Sequence, residues 1–139
     1  MRAPVRRRRG DERGSMAIEV VLLVPILVMF LLLVVAAGRY VTVRSDIDSA
    51  ARDAARAASL ERTPAAARAA AQQVAASQLQ GYSDCQVARM GGSFVSGGVI
   101  DITLECRVSN EGLGLIGLGG SLQISGDASA PIDTYRRTG

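Results

Sequence analysis

Three residues in this chain stand where their chemistry has consequences. Glu19 lies at the N-terminal edge of an apolar run that holds no further charge until Arg39. A carboxylate so placed costs free energy unless a cation meets it. Cys85 and Cys106 are the two cysteines, and outside the cytoplasm an even pair is expected to form a disulfide. Free thiols or a metal site are the competing readings, but two cysteines with no histidine and no CxxC spacing make a weak zinc site. The absence of histidine also removes the conventional serine and cysteine triads. The acids show no paired arrangement suited to general acid–base work. The expected chemistry is charge pairing and disulfide formation, with no enzyme activity, no cofactor and no metal.

The element that must position Glu19 is the stretch from Arg13 to Arg39, RGSMAIEVVLLVPILVMFLLLVVAAGR. About nineteen uncharged positions follow Glu19, enough at ~1.5 Å rise per residue to span a ~30 Å hydrocarbon core. Without water its peptide groups must bond to one another, so the stretch is expected to be a transmembrane helix. Upstream lie Arg2, Arg6, Arg7, Arg8, Arg9 and Arg13 against Asp11 and Glu12; downstream, Arg39 and Arg44 are soon offset by Asp46, Asp48 and Asp53. The positive-inside rule places the N-terminus in the cytoplasm and the rest of the chain outside, as a single-pass protein of the cytoplasmic membrane. Pro25 falls inside this helix and removes one backbone bond, which membrane helices tolerate.

The order of features is a basic leader, Gly14, then Ser15-Met16-Ala17-Ile18-Glu19 opening a long apolar helix. It resembles type IV pilins and pseudopilins. The fuller string, RGSMAIEVVLLVPILVMFLLLVVAAGRYVTVRSDIDSAARDAARAAS, is similar to the TadE-like pseudopilins of the tight-adherence pilus system. The resemblance implies a prepilin-type peptidase that cuts after Gly14, making Ser15 the new N-terminus. It also implies that Glu19 neutralises the new ammonium, its own or a neighbouring subunit's, within the membrane or the fibre. Opposite charges attract far more strongly in low dielectric than in water, which suits that role. The competing reading is a carboxylate that reaches back to the headgroups from near the interface. Ser15 replaces the phenylalanine usual after the cut in type IV pilins, which bears on N-terminal methylation more than on cleavage. Implied partners are membrane lipid, the peptidase and other pilin or pseudopilin subunits.

Two export signals compete with this reading. Val35-Ala36-Ala37-Gly38 has the small residues of a signal-peptidase site, but the apolar run is longer than a secretory core and Glu19 would be unexplained. The arginine cluster is followed by Gly10-Asp11-Glu12 where a twin-arginine signal would turn apolar. Nor does arginine richness imply nucleic-acid binding here. All sixteen basic residues are arginine and the net charge is +3, yet removing residues 1–14 takes away six arginines and two acids, leaving ten basic and eleven acidic residues, net −1. The basic balance belongs to the leader, where membrane topology explains it.

Beyond the membrane the helix is expected to continue through residues 40–62 as an extracytoplasmic stalk, since no Gly or Pro interrupts it and alanine is frequent. From Ser15 to Leu60 it would measure roughly 70 Å. Arg44, Asp48 and Arg52 lie four apart on one face, while Ile47, Ala50, Ala51, Ala54 and Ala58 trace a shallow apolar stripe on the other. Thr63-Pro64 is a helix start. A second helix is expected from Pro64 to about Gln80, ending at Gly81, with Ala67, Ala70, Ala71, Val74 and Leu79 as its apolar positions and an antiparallel hairpin with the first.

After Gly81 the period changes from about 3.6 to 2. Residues 99–108 alternate, with Ile100, Ile102, Leu104, Cys106 and Val108 on one side. Cys85 to Met90 reads as an earlier strand, and Leu122, Ile124, Ala128, Ala130 and Ile132 as a last one. Pairing the first two about a turn centred between Val95 and Ser96, served by Gly91-Gly92 and Gly97-Gly98, places Cys85 opposite Cys106. A disulfide would pin that register. Gly112, Gly114 and Gly117 match GxGxxG in form only, because an alternating strand follows instead of a helix; a flexible apolar loop at a membrane or subunit surface is the better reading.

The expected architecture is an α+β membrane protein. A basic leader (1–14), transmembrane helix (15–39), helical stalk (40–62), second helix (63–81), small antiparallel β domain (82–134) and tail (135–139) follow in order. The expected function is a minor pseudopilin-like component of a tight-adherence pilus assembly system. The alternative is an uncleaved single-pass envelope protein whose outer domain binds a partner.

Overall fold

A computed structural model describes residues 12–109 and 119–135, with side chains described from Ala17 onward. The loop expected around Gly112, Gly114 and Gly117, the basic leader up to Asp11 and the tail after Tyr135 lie outside the described residues. The element order is α1 (Glu12–Ser59), α2 (Pro64–Gln78), β1 (Ser83–Gly92), β2 (Val99–Ser109) and β3 (Ser121–Pro131). The chain divides into two compact units, 1–40 and 41–139. The described part of the first is α1 alone, running uninterrupted through Pro25. The second holds the rest of α1, α2 and a three-stranded antiparallel sheet in the order β1-β2-β3.

Alanine-rich sequence carries α1 to Ser59, where the last turn tightens. The Leu60 N–H donates to the Ala57 carbonyl and that of Glu61 to Ala58, both at 3.1 Å, satisfying carbonyls left over at the helix end. Thr63 then caps α2 as expected: its hydroxyl accepts from the Ala66 N–H at 3.2 Å, and Pro64 takes the first helical position. α2 stops at Gln78, short of the expected Gln80. The reason is Leu79, which leaves helical geometry to enter the core (3% exposed), after which the Tyr82 N–H donates to its carbonyl at 3.0 Å. The chain does run back along α1: the Gln78 amide donates to Asp53 at 2.7 Å, and the Tyr82 hydroxyl to Asp46 at 2.6 Å.

Helices and sheet contribute unlike residues to one core. From α1 come Val43, Ile47, Ala50, Ala51, Ala54, Ala55 and Ala58, and from α2 Ala67, Ala71, Ala75 and Leu79; the sheet side supplies Val87, Ile100, Ile102, Leu104, Cys106, Ile124, Ala130 and Ile132. Methyl-sized side chains let helix backbones approach, and branched ones from the sheet fill the space between. The expected α1 stripe is fully buried, and β2 alternates as expected. On β3 the inward positions are Ile124, Gly126 and Ala130, with Ala128 half-buried, whereas Leu122 is 41% exposed and does not join the core. At Gly126 α1 comes close to the sheet. A Cβ there would lie 2.9 Å from both Ile47 Cγ2 and Asp48 Oδ1 and 3.2 Å from the Asp48 backbone nitrogen.

Candidate functional site

The surface of α1 from Ile18 to Val35 is the most unusual in the molecule. Its large apolar side chains are 47–72% exposed, and none of that stretch is buried. It is the one candidate membrane span among the described residues, long and apolar enough to cross a bilayer. An α-helix satisfies its own backbone groups, so such a surface is stable in hydrocarbon and costly in water. Glu19 is exposed on this helix at its N-terminal end. Gly14 and Ser15 belong to α1. The geometry therefore presents a carboxylate within five positions of Gly14, on the rim of an apolar cylinder.

The second site of chemical interest is the disulfide Cys85–Cys106, whose Cα atoms lie 4.1 Å apart. The cysteines face each other across β1 and β2, as pairing about a turn between Val95 and Ser96 predicted. The register around them is less simple. Pairs Gln86↔Glu105 and Val87↔Leu104 follow the expected turn centre, but Arg89↔Thr103 through Gly92↔Ile100 are shifted by one, leaving Ala88 as an extra residue. A second irregularity falls between Ser83 and Gln86, where two residues of β1 oppose Cys106 and Asp84 takes a φ of +51°. Asp is among the few residues that accept this left-handed conformation. β1 is thus a twice-bulged edge strand, and bulges disrupt ladder pairing and bend the strand.

Comparison with known families decides what the first of these sites belongs to. Residues 14–56 match the family of TadE-like proteins. The N-terminal segment is TadE-like. The match takes in the exposed apolar surface, Glu19 and most of the buried alanine stripe, and stops at Arg56, before α2 and the sheet. Such a segment suggests a Tad pilus-associated component. The apolar helix fits a single-pass membrane protein in such a system. No curated protein and no solved structure matches the chain.

Outside the TadE-like segment, several residues that organise the domain carry no sequence signal of their own. Gln72 of α2 accepts from the Val87 N–H at 3.0 Å, and Arg68 donates to the Val87 carbonyl at 3.5 Å. Together they occupy backbone groups of the β1 edge, a protection that edge strands need. On the outer face of the sheet, Thr103 donates to Asp127 (2.7 Å), Ser129 to Asp101 (2.6 Å) and Gln123 to Glu105 (2.9 Å). These cross-strand bonds reinforce the β2–β3 pairing, which is regular from Val99↔Pro131 to Ser109↔Ser121. The expected pair on α1 is present as Arg44–Asp48 at 4.0 Å, too exposed to matter much for stability. Among the described residues, no group of three or more His, Cys, Asp or Glu is placed to hold a metal ion.

Proposed function

We propose that this chain is a minor pseudopilin-like component of a tight-adherence pilus, made as a membrane precursor, cut after Gly14 and assembled through its N-terminal helix. The observation that carries the reading is the TadE-like match, which begins at Gly14 and leaves the arginine-rich residues before it outside. Residues 15–39 would then span the cytoplasmic membrane with the N-terminus inside, and the domain from Val41 onward would face out. The Gly14–Ser15 bond lies within α1.

Cleavage creates an ammonium on Ser15, four positions before Glu19. Positions i and i+4 of a helix are neighbours, so the carboxylate can meet its own ammonium or that of an adjacent subunit. In a low-dielectric setting such a pair is stabilised far more than in water, and either charge alone is costly. Lipid contacts would come from the apolar surface between Ile18 and Val35. The test is assembly in cells: Glu19→Ala should lower co-purification with partner pilin subunits at least tenfold while leaving membrane insertion intact. Glu19→Ala with unchanged co-purification would show that the carboxylate has no part in assembly.

A further inference from the structure

The two cysteines of the disulfide are not equally exposed. Cys106 faces inward from the central strand and has no exposed surface (0%), whereas Cys85 lies on the bulged edge strand and is partly exposed. An open groove lined by Cys85 and Cys106 together with Asp84, Glu105, Arg107 and Gln123 reaches the pair. The strand is locally irregular on both sides of Cys85, at Asp84 and at Ala88. Ladder bonds that would rigidify and cover a regular edge are therefore interrupted beside the more exposed cysteine. Thiol–disulfide exchange proceeds by attack of a thiolate on a disulfide sulfur, and its rate depends on which sulfur can be reached.

We propose that Cys85 is the sulfur through which an external thiol or disulfide partner acts on this bond, and that Cys106 is the resolving sulfur. In the forming direction, the Cys85 thiolate attacks a disulfide of the partner, forming one S–S bond and expelling one partner thiolate. The Cys106 thiolate then attacks Cys85 Sγ, closing the intramolecular bond and releasing the second partner thiolate. Two electrons pass to the partner disulfide, and the two protons lost from the cysteines are taken up by its thiolates. In the reverse direction a thiolate enters at Cys85 and Cys106 leaves. The groove is polar and carries both signs, through Asp84 and Glu105 against Arg107, which suits a peptide thiol. This inference does not depend on cleavage after Gly14.

The test uses the full chain, oxidised and in detergent, with reduced glutathione as the probe. After acid quenching and peptide mapping, the mixed disulfide should be found on Cys85 over Cys106 by at least tenfold. A second measurement uses single variants and oxidised glutathione: Cys106→Ser, which leaves Cys85, should form the mixed disulfide at least tenfold faster than Cys85→Ser. Equal modification of the two cysteines, or preference for Cys106, in either measurement would overturn the proposal.

Discussion

Helix α1 carries two apolar surfaces made from different residues. Between Ile18 and Val35 the side chains are large and exposed; between Val43 and Ala58 they are mostly alanine and buried. The difference teaches how size encodes surroundings. Long branched side chains enlarge contact with hydrocarbon and need no partner of defined shape. Methyl groups bury little surface each, and their value lies in how near they let another backbone come. The TadE-like match spans both surfaces, so it covers the anchor together with the helix face on which the rest of the domain is built.

Substitutions can break or sharpen this contrast. Ile47→Ala, in the buried stretch, should destabilise the domain by about 3.5 kcal/mol, because the cavity beneath Gly126 cannot close. Urea unfolding of the detergent-solubilised chain, followed by hydrogen exchange of β2 amides, would measure it. Replacing both Cys85 and Cys106 by alanine should cost about 3 kcal/mol by the same assay, since the bond spans 21 residues. Gly126→Ala should cost about 2 kcal/mol, because the new Cβ meets Ile47 and Asp48 at 2.9 Å. Thr63→Ala, which loses one capping bond, should cost about 1 kcal/mol. Leu27→Ala, in the exposed stretch, should change domain unfolding by less than about 0.5 kcal/mol. A large effect of Leu27→Ala, or none of Ile47→Ala, would mean that the two surfaces do not differ as described.

Much of this was readable from residue order because it depends on period. The apolar run, the alanine stripe, the capped start at Thr63 and the alternation of β2 are local patterns that the fold kept. The pairing of Cys85 with Cys106 followed from one assumed turn centre and held at the cysteines, although the register slips by one nearer the turn. What escaped depends on contacts between distant segments. Gly126 looks like a gap in an alternating strand until Ile47 and Asp48 come down on it. Ala75 joins the core, and Leu122 does not, for reasons of where α1 and α2 cross the sheet. Gln72 and Arg68 resemble any solvated helix face until Val87 is placed beside them. Asp84 gives no hint of its left-handed backbone, since Asp tolerates that conformation without requiring it. The site proposed at Gly14, Ser15 and Glu19 rests on order along the chain, and its proposed chemistry begins only when a bond is cut.

That cut is open to direct measurement. Intact-mass and N-terminal peptide analysis of the chain extracted from its native membrane should find a mature form that begins at Ser15. A chain that retains Met1 to Gly14, in cells with an active prepilin-type peptidase, would contradict the account, because the ammonium proposed to meet Glu19 would never exist.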